Sequence, residues 1–564
     1  MKSQMKNLLV GMVTSLLVAN FAFAKPTNAE LKIGSSQEFE NLNPLIATMS
    51  ATTYMLAMVN RSLVTLTPDL RWEPQIATAI PSLKNGLAKL VDRPDGKKGM
   101  IATWEIIEKA NWGDGKPVVC ADLEFSWKVG LNPNVSIGSR ESYQDIESIK
   151  WDKATPKKCV VTYKVAKWDF FRNMPTPVPH HIEQAVIDKF GKQREGYDKN
   201  SNYTKNPTNP GLYNGPYVLK ELKLGSHVSF EPNPHFYGTQ PAIKKILFKL
   251  IPNTGTLEAN LRSGTIDMIS PLGLSFDQAL LFDQKATSES LPFQVKFKEG
   301  TIYEHIDFDL SNPILKDVKV RQALIYSINR EELTKALFEG KQKPAFHNFS
   351  PIDPWFTTDA SKIKVYNYSK RTATKLLEEA GWKMGADGVR TKDGKRLTFN
   401  FMTTAGNKTR ETVQAVLQNQ WRAVGVEVNI KNEPARVFFS ETTKKRKFEG
   451  MAMYAWVSLP EASPRSTLHS EMIPTEKNSW SGQNQPGWVN KSVDALIDSL
   501  EKEFDAEKRV GIAHKILKSY TEDAPVIPLY YRTEIAVIPK NLKNYRLSGH
   551  QVYETSEVEK WSLE

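Results

Sequence analysis

The side chains best placed for chemistry in this sequence lie between residues 450 and 482. Tyr454 and Trp456 stand two apart in Gly450-Met-Ala-Met-Tyr-Ala-Trp-Val-Ser-Leu-Pro-Glu461, so an extended chain puts both rings on one face. Glu461 supplies an acid, and Arg465 a guanidinium that can grip a carboxylate through two N–H groups. Trp480, in Asn478-Ser-Trp-Ser-Gly482, can stack on a ligand or serve the structure of its own loop. These are groups that bind. Groups that break bonds form no recognisable motif: G-x-S-x-G, the hydrolase nucleophile elbow, is absent, as are the P-loop, H-E-x-x-H and C-x-x-C. The nine His residues are dispersed. The adjacent pair His180-His181 follows Pro175-Thr-Pro-Val-Pro179 and reads as a cap for the next helix, because neighbours in one loop rarely converge on a metal. The chain is read as a non-enzymatic binder with no metal and no cofactor.

These residues must be positioned by a long chain. Its 564 residues suggest two to four domains, and 40% hydrophobic with 10% aromatic residues is enough for large cores. Residues 1–24 are a separate object: Lys2 and Lys6 precede an apolar run from Leu8 to Ala19, and Ala22-Phe-Ala24 fits a cleavage site. The expectation is export across a bacterial inner membrane into the periplasm, with no lipid anchor because no Cys follows the site. Export meets an oxidising compartment, where Cys120 and Cys159, the two cysteines, either pair or stay as buried thiols. A bond would close a loop of about 40 residues, worth ~4 kcal/mol in the chain-entropy model. The net charge of +12 falls to +10 without Lys2 and Lys6. Basic residues are scattered among acids, with Lys444-Lys-Arg-Lys447 the densest run, so nucleic-acid binding is not expected.

Strand and helix signals alternate throughout. Val160 to Tyr163 reads as a strand and Pro207 to Gly215 as a loop. Val320, Leu324 and Ile328 share a helical face, as do Ala373, Leu376, Leu377 and Ala380 before a stop at Gly381. Arg396 to Thr403 alternates as a strand; Val413, Val416, Leu417, Trp421 and Val424 make an amphipathic helix; Val426, Val428 and Ile430 form the next strand. That is a βαβ unit with a parallel pair. Two further helices carry Val493, Leu496, Ile497, Leu500 and Ala513, Ile516, Leu517, Tyr520.

Several segments resemble the bacterial extracellular solute-binding proteins of family 5, the oligopeptide, dipeptide and nickel type. They are Trp112-Gly-Asp-Gly-Lys-Pro-Val-Val-Cys-Ala-Asp-Leu-Glu-Phe-Ser-Trp127, Asn214-Gly-Pro-Tyr-Val-Leu-Lys220, Phe230-Glu-Pro-Asn-Pro-His-Phe-Tyr-Gly238 and Leu261-Arg-Ser-Gly-Thr-Ile-Asp267. Val320-Arg-Gln-Ala-Leu-Ile-Tyr-Ser-Ile-Asn-Arg-Glu-Glu-Leu333 and Pro525-Val-Ile-Pro-Leu-Tyr530 follow in the same order. The resemblance implies a large α/β trap of the periplasmic binding protein type (class II), with two lobes joined by a hinge. Lobe I would span 25–300, with an extra subdomain near 72–203; lobe II would span 301–530; and 531–564 would return to lobe I.

The resemblance also implies a function and a site. The chain would be the monomeric substrate-binding component of an ABC importer, closing on a small peptide and handing it to permease subunits in the inner membrane. The alternative is the same trap around a nickel chelate, an oligosaccharide, an opine or another amino-acid derivative. Tyr454 and Trp456 would line the cleft from lobe II. Gln37, Glu38 and Phe39, just before the entry turn Leu42-Asn-Pro44, would stand near its mouth, and Tyr303 and His305 near the hinge. Peptide binders of the family place an Asp three residues after the Trp to pair with the ligand's α-amino group; here that position is Leu459. Glu461 would take over, or the amine contact is lost.

Overall fold

A computed structural model describes residues 27–564 except 48, 138, 139, 435, 436, 479 and 481. The leader expected at 1–24 lies outside the described residues. Among them, no helix is long and apolar enough to cross a membrane.

Two strands of unusual length organise the chain. Phe293–Phe308 and Val526–Pro539 run antiparallel at the middle of a ten-stranded mixed sheet. Their register breaks between Glu299 and Tyr303, and again between Glu304 and His305. Before the first break, Phe293 to Glu299 pair with Pro539 to Thr533, and the sheet continues through Met268–Ile269, Leu31–Ser35, Ile246–Leu250, His227–Pro232 and Tyr217–Lys223. Beyond it, Ile302 to Phe308 pair with Val457 to Met451, and the sheet continues through Thr398–Met402 to Glu427–Ile430. Gly300 sits at the crossing. A Cβ there would lie 3.0 Å from the Arg532 carbonyl oxygen and 3.2 Å from that of Gly549, so a larger residue would make the neighbouring backbone give by a few tenths of an ångström.

Each half of the sheet has its own core, which makes two lobes on two shared strands. In lobe I, Leu31, Ile33, Tyr54, Tyr217, Phe230 and Phe248 pack with Val558, Trp561 and Leu563 from the chain's end. In lobe II, Ile306, Leu324, Leu377, Phe399, Leu417 and Trp421 form the centre. The βαβ unit is present: Thr398–Met402 and Glu427–Ile430 are parallel, with Phe399 opposite Val428, and helix Lys408–Arg422 buries Val413, Leu417 and Trp421. Ile430 does not join that core. It ends the outermost strand and is 42% exposed. The helix Lys370–Glu379 starts on the Ser369 hydroxyl, which accepts from Thr372 N at 3.1 Å, and stops where Gly381 takes φ +88°.

A third body is an antiparallel sheet of Ala88–Asp92, Lys98–Glu105, Thr155–Tyr163 and Ile146–Asp152, backed by helix Cys120–Leu131. Cys120 and Cys159 are disulfide-bonded, with their Cα atoms 5.7 Å apart. The bond ties the first residue of the helix to the third strand of that sheet. This body touches lobe II directly: the Trp168 ring packs into the cluster of Trp355, Val493, Ile497 and Leu517.

Candidate functional site

A cavity of about 550 Å3 lies where the two long strands cross between the lobes. Lobe I contributes Gln37, Ser50 and Thr53, lobe II contributes Asn407, Thr409 and Arg410, and the crossing strands contribute Thr301, Arg532 and Glu534. Three helices begin at its wall: Ser50–Val59, Phe276–Ser288 and Lys408–Arg422. Their N-termini turn partial positive charge toward the cavity. The Asn407 side chain caps the third, accepting from Arg410 N at 3.1 Å, and so fixes where the Arg410 side chain starts.

The fixed charges add to that bias. Glu304 is fully buried, with Arg410 Nε 2.5 Å from one carboxylate oxygen and Arg532 Nη2 2.6 Å from the other. Burial pushes the Glu304 carboxyl up, but the charges of Arg532 and Arg410 outweigh it and hold the group below the usual carboxylate value. Two guanidiniums on one carboxylate leave one positive charge in excess. Glu534 does not cancel it: burial, then the charge of Glu554, push its carboxyl up to about 8, so it is protonated at neutral pH. Burial pushes the His550 imidazole down to about 4, which keeps it neutral. The cavity therefore suits an anionic group. Two buried polar atoms of its wall, Thr301 Oγ1 and Gln342 Oε1, have no protein partner.

A second cavity of about 380 Å3 shares the wall residues Thr53, Gln551 and Tyr553 with the first, so the two lie side by side and together make the groove between the lobes. Its far wall is built from helix Ser50–Val59, from Phe171 and Arg172 of the third body, and from Leu459 of lobe II. The groove thus has walls from all three bodies.

The structure places the sequence-predicted residues unevenly. Gln37 lines the first cavity, and Glu38, beside it, is exposed but lines neither. Phe39 turns inward: it is 4% exposed and meets the Phe248 ring edge-on at 6.1 Å, so it serves the lobe I core and not the cleft mouth. Tyr303 and His305 do follow the register break, but both rings are buried. His305 stacks on Tyr303 at 4.8 Å and meets Tyr454 at 4.5 Å. Tyr454 is buried and donates its hydroxyl to the Asp307 carboxylate; Trp456 is half-buried and packs over His305 at 6.3 Å. Neither Tyr454 nor Trp456 lines either of these cavities; Val457 lines the first and Leu459 the second.

The charged candidates are engaged within the protein. Glu461 pairs with Arg172 Nη2 at 3.3 Å and with Arg509 Nη2 at 3.6 Å, so it does not stand in for the missing acid. Arg465 is held by Asp498 and by Glu501, the latter at 2.9 Å, which staples a loop to helix Lys491–Lys502 and leaves no fork for a ligand carboxylate. Trp480 lies in a loop with φ +59° and lines neither cavity. His180 and His181 do not act as side-chain caps. Each ring meets an acid, His180 Nδ1 with Asp122 at 2.6 Å and His181 Nε2 with Asp114 at 2.9 Å. Asp122, His180 and His181 bring possible metal-ligand atoms within 4.8 Å of one another. Asp122 is already spent, accepting from Val119 N, Trp112 Nε1 and His180 N. The residues that sequence reasoning missed are Arg410, Arg532, Glu534 and Asn60. The one visible signal was a charge inside an apolar strand, as Arg532 follows Val526-Ile-Pro-Leu-Tyr-Tyr531.

Residues 83–470 match the sequence profile of the bacterial extracellular solute-binding proteins, family 5 Middle. The oligopeptide-binding protein AppA of Bacillus subtilis (strain 168) is 25% identical over 541 residues, covering 95% of this chain and 91% of that protein. The nickel-binding periplasmic protein of Escherichia coli (strain K12) is 24% identical over 387 residues, covering 68% and 69%. The oligopeptide-binding protein of Thermus thermophilus, solved in complex with a pentapeptide, superposes with a TM-score of 0.76 at 26% identity, covering 95% of this chain and 96% of that one. With the groove between two lobes on two crossing strands, these findings show that the chain belongs to the bacterial extracellular solute-binding proteins of family 5.

Proposed function

We propose that the protein is the periplasmic substrate-binding component of an ABC importer, which captures a peptide by closing its lobes and delivers it unchanged to the permease. The observation that carries this reading is the shared wall of Thr53, Gln551 and Tyr553, which sets cavities of about 550 and 380 Å3 side by side between the lobes. Walls from both lobes mean that a ligand contacts both and stabilises the closed arrangement by its differential affinity for it. The excess charge of Arg410 and Arg532 seats a ligand carboxylate, and the unpartnered Thr301 and Gln342 atoms supply hydrogen bonds to its polar backbone. Kinship with peptide-binding proteins of Bacillus subtilis and Thermus thermophilus supports a peptide as the ligand.

The same arginines favour a second reading, a metal chelate rich in carboxylates, in line with the nickel-binding relative. Thermal unfolding with a defined peptide mixture, and separately with nickel–histidine, tests the choice. Peptides should raise the unfolding temperature and be recovered intact by mass spectrometry. Stabilisation by the chelate alone favours the second reading, and cleaved peptides contradict a pure binder.

A further inference from the structure

Residues that line the cavity beside Leu459 carry buried polar atoms that the protein leaves unused. Asn60 has neither a partner for its side-chain carbonyl oxygen nor one for its amide nitrogen. Arg172, whose side chain is 6% exposed, donates through Nη1 to the carbonyls of Pro460 and Glu461 and through Nη2 to the Glu461 carboxylate. Its Nε has no acceptor. A buried donor or acceptor without a partner costs about 1–3 kcal/mol, so such atoms on cavity-lining residues mark what a ligand should bring.

The charges of this cavity are also decided. Its described lining holds two arginines, Arg61 and Arg172, and no aspartate or glutamate. The acid that meets Arg172, Glu461, is shared with Arg509. Arg61 is paired with Glu559 at 2.7 Å. Arg61 has its own counter-ion and Arg172 shares one with Arg509, so the cavity offers nothing to a cation. An ammonium placed here would be desolvated among arginines with no carboxylate to receive it. An amide fits: with the unheld Asn60 side chain turned toward the cavity, its oxygen can accept from Asn60 Nδ2 and its N–H can donate to Asn60 Oδ1.

We infer that the cavity formed by Asn60, Arg172 and Leu459 seats an uncharged amide at one end of the ligand and discriminates against a free α-ammonium. The ligand class is then a peptide blocked at its N-terminus, such as an N-acylated one, with its carboxylate toward Arg410 and Arg532. This rests on the peptide reading above and narrows it.

The test is a set of tri- to hexapeptides, each prepared in free-amine and N-acetylated form, titrated against the protein by calorimetry. The acetylated forms should bind about tenfold or more tightly than their free-amine twins. Asn60→Ala should erase that preference without lowering the ligand-free unfolding temperature, because its side chain holds nothing in the protein. Leu459→Asp should reverse the preference by placing a carboxylate at the cavity wall. Equal or tighter binding of the free-amine forms, or a preference untouched by Asn60→Ala, would overturn the inference and leave the peptide reading standing. Binding of neither form overturns the peptide reading, and this inference with it.

Discussion

Arg410 Nε and Glu304 meet 2.5 Å apart beneath the groove, although the two residues are 106 apart in sequence. The contact joins the first turn of helix Lys408–Arg422 to the strand that crosses between lobes. Arg532 closes on the same carboxylate from the second crossing strand. One buried acid therefore ties the hinge to a lobe II helix and holds two arginines at the cavity.

Breaking this cluster should separate stability from binding. Arg410→Ala leaves Glu304 buried with a single partner, and loss of one member of a buried pair costs about 3–5 kcal/mol. Urea unfolding should show that loss. Arg532→Gln keeps the Arg410 contact and puts at the half-exposed position an amide that can still donate to Glu304. It should preserve most of the stability but weaken an anionic ligand at least about tenfold, measured by calorimetry. Equal stability losses for both variants would contradict the division of labour.

The third body should help to hold the clamp shut. Trp168 lies between two guanidiniums, 3.7 Å from Arg509 and 4.4 Å from Arg172, and its backbone N–H donates to the Glu501 carbonyl at 3.1 Å. Cation–π contacts that are desolvated are worth about 2 kcal/mol each. Trp168→Ala, at a residue that lines neither cavity, should speed ligand release about tenfold or more in stopped-flow fluorescence, with little change in the association rate. An unchanged release rate would remove the latch from the account.

The protonated state of Glu534 predicts a pH dependence. Its carboxyl is raised from an ordinary 4.5 to about 8 in the folded protein, chiefly by burial. Between those values the folded chain keeps a proton that the unfolded chain has lost. The contribution to stability is therefore full below pH 4.5 and is lost as pH rises through 8. Glu554, raised to about 7, and Asp353, raised to about 7, titrate in the same window, so the comparison must be between variants. Glu534→Gln should show a shallower fall in unfolding temperature between pH 5 and 8.5 than the unaltered protein.

The Cys120–Cys159 bond should serve stability and not the ligand. Replacing both cysteines by alanine opens a loop of sequence separation 39 and should cost ~4 kcal/mol. Peptide affinity at a temperature where the variant is folded should stay within about twofold, because neither residue lines the groove.

Much of the scaffold was legible because its elements are amphipathic. Helix Lys408–Arg422 and its flanking strands announce themselves through Val413, Leu417 and Trp421 and through the alternation at Leu397, Phe399 and Phe401. The site was less legible for two physical reasons. Strand Gly450–Val457 lies inside the sheet, with Met451, Ala452, Met453 and Tyr454 all buried, so a period of two could not say which face meets the groove. And the choice between a ligand contact and an internal ion pair depends on distant partners. Arg465 and Arg532 are alike in sequence, yet Asp498 and Glu501 occupy the first, while the second keeps 36% of its side chain exposed above Glu304.

The central claim is that the groove holds a peptide between the lobes and releases it chemically unchanged. Native mass spectrometry of the protein purified without refolding tests it most directly. The account predicts a protein–ligand mass whose excess, freed by denaturation, is an intact peptide, and whose occupancy falls in the Arg532→Gln variant. A bare protein mass that no added peptide shifts, or an excess mass that proves to be a metal chelate or a sugar, would contradict it.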